Sequence, residues 1–129
     1  MTDAHLPRLR EALLRLHKTL VESERVSYEQ TMGRISTPNH FLHLLTTDPW
    51  FAWLHPLSLL IVSLDQVLEA RRRPLHPAEV EAVRQQTERL LVAAEHGHGF
   101  AGHYFDALQR DPDVILAHAA VVGLLKSGQ

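Results

Sequence analysis

Leu6, Leu9, Leu13, Leu16 and Leu20 recur at alternating intervals of three and four, the spacing that lays one stripe along an α-helix. Arg, Lys and Glu fill the positions between them, so residues 5–32 predict an amphipathic helix that stops at Gly33. Thr37-Pro38 restarts a helix. Threonine is a good N-cap, and proline at the first helical position gives up an N–H that would have had no intrahelical partner. Phe41, Leu42, Leu44 and Leu45 make this short element strongly apolar, with its end expected near Thr46.

Asp48-Pro49 repeats the cap-and-proline device and is expected to open the segment that runs to about Arg72. From Trp50 to Leu64 only His55, Pro56, Ser58 and Ser63 interrupt the apolar run. A helix apolar on every side is either a buried central helix or a membrane span. This run contains a histidine and a proline and falls short of the ~20 residues that cross a bilayer, so it predicts a central apolar helix near residues 49–70. Pro56 removes a helical hydrogen bond and should kink or split the helix near Ala52–His55. Leu57, Leu60, Ile61 and Leu64 share one face and are expected to be among the most buried residues, against the leucine stripe of the first helix. Arg71, Arg72 and Arg73 suit the negative end of a helix dipole.

Pro77 starts a further helix, with Glu79 and Glu81 in its first turn and Val80, Val83, Leu90, Leu91 and Ala94 on one face. It should end at the run Glu95-His96-Gly97-His98-Gly99. Phe100–Gln109 reads as a short helix, and Asp111-Pro112 caps a last one reaching about Lys126, with Val114, Ile115, His118, Val121, Val122 and Leu125 along it. No alternating run reads as a strand. Short connections favour antiparallel neighbours. The expected fold is therefore all-α, a compact helical bundle of about five or six helices in a single domain over residues 1–129.

The stretch Leu45-Thr46-Thr47-Asp48-Pro49-Trp50-Phe51-Ala52-Trp53-Leu54-His55-Pro56-Leu57-Ser58, followed by Leu60-Ile61 and Asp65, resembles a family of small uncharacterised bacterial all-helical proteins. Asp111-Pro112-Asp113-Val114 with His118 is similar to that family's C-terminal end. The resemblance implies a helical fold and a bacterial source, and it implies no activity.

Composition narrows the chemistry. The 129 residues are 45% hydrophobic and 22% charged, a globular balance, and 13 basic against 15 acidic side chains leave a net charge of −2, which does not suggest nucleic-acid binding. The absence of cysteine excludes disulfides and thiolate zinc sites. No apolar signal stretch is visible at the N-terminus, so a cytoplasmic location is the expectation. There is no Gly-x-Ser-x-Gly elbow and no Gly-rich phosphate loop, which leaves enzymatic activity with little support.

Ten histidines are the compositional oddity. His96, His98 and His103, with Asp106, are the densest set, and together they offer nitrogen and oxygen ligands for a divalent transition metal, zinc or iron. The competing reading is a polar helix–helix corner with no metal and no cofactor. His40 and His43 read as a partly exposed pair in preference to a ligand pair. His55, Asp65 and His118 lie in apolar context and need partners if buried, an arginine being the usual one for Asp65. Phe41, Trp50, Phe51 and Trp53 either fill the core or anchor a protein partner, since tryptophan is frequent in binding hot spots. The functional expectation is a non-enzymatic helical module that binds a protein partner or itself as a homodimer through apolar helix faces. The alternative is a small-ligand or metal-binding bundle using the histidine corner and a cavity at the Pro56 break.

Overall fold

The computed structural model describes residues 1–70 and 75–126, so the Arg71–Arg73 run lies outside the described residues. Among the described residues six α-helices succeed one another: α1 (Leu6–Met32), α2 (Pro38–Thr47), α3 (His55–Ala70), α4 (Pro77–Leu90), α5 (Phe100–Arg110) and α6 (Pro112–Lys126). Short 3-10 turns occupy Asp3–His5 and Ala52–Leu54, and no strand occurs among the described residues. The chain is an all-α bundle.

The leucine stripe explains the layout. Leu6, Leu9, Leu13, Leu16 and Leu20 are all fully buried, and α1 is the element against which the others assemble, α6 most extensively and α3 next. Gly33 ends α1 with φ +104°, a conformation that strains any other residue, and its N–H bonds to the Glu29 carbonyl. The Thr37 hydroxyl caps α2 by accepting from the His40 N–H at 3.0 Å, and Asp111 caps α6 by accepting from the Asp113 N–H at 2.9 Å.

Asp48-Pro49 behaves differently from its two counterparts. Asp48 closes α2, and its carboxylate accepts from the Trp50 N–H at 2.8 Å, so the chain turns here and no helix starts. A 3-10 turn comes next, and α3 begins only at His55, with Pro56 in its first turn. The expected break is therefore the start of the helix. A proline there sacrifices no ladder hydrogen bond.

Helix α3 is buried along one stripe, Leu57, Ile61 and Leu64, while Leu60 is half-buried and Leu59 and Val62 are exposed. It packs on α1 and on α4, which leaves a third side open, and the position at the centre of the bundle belongs to α1. Helix α4 stops at Leu90, five residues before the expected Glu95. Residues 91–99 instead form an irregular corner, tied by the Ala94 N–H to the Ala101 carbonyl at 3.1 Å and the Gly97 N–H to the Ala94 carbonyl at 2.9 Å. Gly99, with φ +61°, then leads into α5.

Candidate functional sites

The four aromatic candidates sit where α2, the 3-10 turn and α1 meet. Phe51 and Trp53 are buried, and Phe41 and Trp50 are half-buried. Tyr28 of α1 meets Trp50 edge-on at 5.4 Å between ring centroids, and Phe51 lies between Tyr28 and Phe41 at 5.5 and 5.8 Å. Trp53 points the other way, stacked on His103 at 5.4 Å and packed on Phe100 at 5.3 Å. These rings join the chain's own elements, and Phe51 and Trp53 present almost no surface to a partner. The Trp53 Nε1–H finds no hydrogen-bond acceptor among the described residues.

A polar network beneath Trp50 carried no signal in the sequence. Glu24 is buried on α1, and each of its carboxylate oxygens is engaged: one accepts from the Trp50 Nε1–H at 2.8 Å, the other from Arg110 Nη2 at 3.0 Å. Arg110 also donates to the Ser23 hydroxyl at 3.0 Å. The carboxylate is thereby paired and hydrogen-bonded, the condition under which a buried charge is tolerated. Sequence reading misses it because Glu24 comes after the α1 leucines on an otherwise charged stretch, and its partners lie 26 and 86 residues away.

Asp65 does pair with an arginine, Arg10 of α1, and both side chains are part-exposed. His118 accepts from or donates to the buried Tyr104 hydroxyl at 2.6 Å. Burial pushes the His118 imidazole below its usual pKa and the Tyr104 hydroxyl above its own, so both partners favour their uncharged forms at neutral pH. His40, His43 and His55 are exposed.

At the histidine corner, Glu95, His98, His103 and Asp106 border a shallow depression of ≈ 290 Å³. His96 is exposed and lies outside its lining, and His103 lies flat against Trp53. Among the described residues no three His, Asp or Glu side chains come together in a group able to hold a metal ion.

A second cavity, of ≈ 570 Å³, opens where α1, α2, the 3-10 turn and α3 converge. Val21, Leu45, Phe51 and Leu54 supply apolar wall, and His17, Thr46, Thr47, Asp48, His55 and Ser58 supply polar groups. His17 Nε2 and Ser58 Oγ are hydrogen-bonded at 2.8 Å, and burial holds the His17 imidazole below its ordinary pKa of 6.5. A serine beside a histidine is part of a nucleophilic device. Here, however, no side chain among the described residues is hydrogen-bonded to the second ring nitrogen, and Ser58 lies within a helix rather than at a sharp turn.

Helix α6 exposes a run of apolar and small residues with no partner among the described residues. Ile115 is 50% and Leu116 69% exposed, and Ala119, Ala120 and Gly123 lie open beside them. A Cβ added at Gly123 would meet nothing within 4 Å. No family model, curated protein or solved structure matches the chain. Among the described residues no single helix is long and apolar enough to cross a membrane, and the apolar run of α2 and α3 is bent by 70°.

Proposed function

We propose that the protein is a non-enzymatic helical interaction module that self-associates through the outer face of α6. One observation carries the reading: from Val114 to Leu125 the helix has no Asp, Glu, Lys or Arg, yet among the described residues it packs mainly along its inner side, on α1 and α5. Exposed contiguous apolar surface of this kind marks interaction sites in soluble proteins.

The sequence of that face is complementary to itself. A second α6 laid antiparallel, with the two-fold axis between Ala119 and Ala120, sets Leu116 against Gly123 of the second copy. The same register brings Asp113 to Lys126 at both ends, and those are the two charges that bound the apolar stretch. Small residues let helix axes approach, the leucine fills the space left by the glycine, and antiparallel dipoles attract. A two-fold axis buries one patch twice without leaving an open end.

Helix α6 is about 22 Å long at 1.5 Å per residue. Its single face is smaller than the ~800 Å² per partner of a standard interface, so the dimer should be weak and concentration-dependent. Sedimentation velocity across the micromolar range tests this. A monomer–dimer equilibrium is expected, and Leu116→Lys should hold the protein monomeric at unchanged melting temperature. A protein that stays monomeric at hundreds of micromolar, or a Leu116→Lys variant that dimerises like the parent, refutes the proposal.

A further inference from the structure

The cavity at the α2–α3 joint has no part in self-association through α6, and its chemistry is specific. Its volume of ≈ 570 Å³ lies in the range of small-molecule sites, and its wall is mainly apolar with a few polar groups, the usual composition of such a site. Phe51 and Leu54, both buried, form the inner wall, and Val21 and Leu45 flank them. The polar groups differ in what they accept. Ser58 and His17 satisfy one another and leave the Ser58 hydroxyl with further hydrogen-bonding capacity. Asp48 is the one Asp, Glu, Lys or Arg in the lining. One of its oxygens takes the Trp50 N–H, and the other accepts no hydrogen bond among the described residues.

An apolar chamber whose formal charge is a single half-buried carboxylate repels anions and favours a cation. An ammonium group answers it with both charge and N–H donors, and charge-assisted hydrogen bonds are the stronger kind. We propose that this cavity binds a small amphiphilic amine, its ammonium group on Asp48, its apolar body against Phe51 and Leu54, and any hydroxyl or amide it carries on the Ser58–His17 pair. The local fold explains why such a chamber exists here. Pro49 and Pro56 prevent α2 and α3 from joining into one helix, so the chain bends around the space in place of filling it.

The experiment titrates the full-length protein with three probes of matched length, hexylamine, hexan-1-ol and hexanoate, monitored by ligand-observed and protein-observed NMR at pH 7.5 and low salt. Hexylamine should bind saturably, at least tenfold more tightly than hexanoate, with shifts centred on residues 45–58. Asp48→Asn keeps an oxygen for the Trp50 N–H and so preserves the turn; it should bring hexylamine down to the affinity of hexan-1-ol. Ala52→Trp, an exposed position on the cavity rim, should block all three probes. The proposal is overturned if no probe binds saturably or if hexanoate equals hexylamine. It is also overturned if Asp48→Asn leaves the preference intact, or if Ala52→Trp binds like the parent.

Discussion

Two helical glycines should respond to the same substitution with opposite signs. At Gly123 in α6 an added Cβ meets nothing within 4 Å, so Gly123→Ala places a methyl in open space. Alanine is the better helix former, and the gain should be about 0.5–1 kcal/mol in the monomer. At Gly102 in α5 the same Cβ would fall 2.3 Å from the Gly97 carbonyl oxygen and 3.1 Å from its carbon. Those are backbone atoms, and Gly97 is itself hemmed in, since its own added Cβ would lie 3.0 Å from Ala94 Cβ and 3.1 Å from Ala101 Cβ. The corner has no slack to absorb the shift, and overpacking of this type costs about 1–3 kcal/mol, more than the helix propensity returns. Gly102→Ala should therefore lose about 1–2 kcal/mol net. Urea unfolding monitored by circular dichroism at 222 nm, at a concentration too low for dimerisation, reads both as shifts in midpoint at constant slope. Stabilisation by both variants would refute the close approach of α5 to the 91–99 corner. Destabilisation by both would mean that the α6 face is covered within the chain.

Arg110→Ala leaves the buried Glu24 carboxylate with Trp50 as its remaining side-chain donor and should cost about 2–3 kcal/mol in a denaturant melt, the lower end for a broken buried pair because Arg110 is itself a third exposed. A loss under half a kcal/mol would show that Glu24 is solvated. Leu57→Ala, at a fully buried position, should lose about 2–5 kcal/mol. Leu60→Ala, half-buried, should lose clearly less, and equal losses would contradict the orientation of α3. Because burial lowers the folded-state pKa of His17 and His118 from 6.5, the unfolded chain takes up protons first as pH falls. Stability is then full above about pH 6.5, declines as pH drops below it, and the loss is complete once pH passes the lowered folded values. Melting temperatures from pH 8 to 5 should show this slope, and the double variant His17→Gln/His118→Gln should flatten it.

The elements most legible from the sequence were those whose two faces differ. The α1 stripe, the Gly33 stop, the Thr37-Pro38 start and the Asp111-Pro112 start all fall where local chemistry places them, because each depends on groups within one helical turn. Asp48-Pro49 has the same two residue types and a different outcome. The difference lies downstream of it: Pro56 lies seven residues on, and Trp50, Phe51 and Trp53 must reach opposite sides of the bundle, which a turn and a 3-10 segment allow and a continuous helix does not. Glu24 with Arg110, His17 with Ser58 and Tyr104 with His118 were not legible as pairs, since each joins separate elements and no spacing encodes it.

Apolar runs posed the harder problem. When one face is polar, periodicity names the buried side, as in α1 and α4. When a helix is apolar around its circumference, periodicity has nothing to report, and burial is decided by how many neighbours the topology supplies. Helix α3 read as the central helix because its run is the most continuous, yet among the described residues it packs mainly on α1 and α4, and Leu59 and Val62 are exposed. Helix α6 read as a capped last helix with apolar residues along it, and its outer side exposes Ile115 and Leu116. The two cases differ in what accompanies the exposed residues. On α3 the open side mixes Leu59 and Val62 with His55, Ser63, Gln66 and Glu69, so water is an adequate neighbour. On α6 the open side offers Ile115, Leu116, Ala119, Ala120 and Gly123 and no polar group before Lys126. An uncovered leucine by itself needs no explanation, but a contiguous face without a polar side chain does. That contrast is why the proposed interaction surface is placed on α6 rather than on the aromatic-rich joint, where the large rings are already held by the chain's own packing.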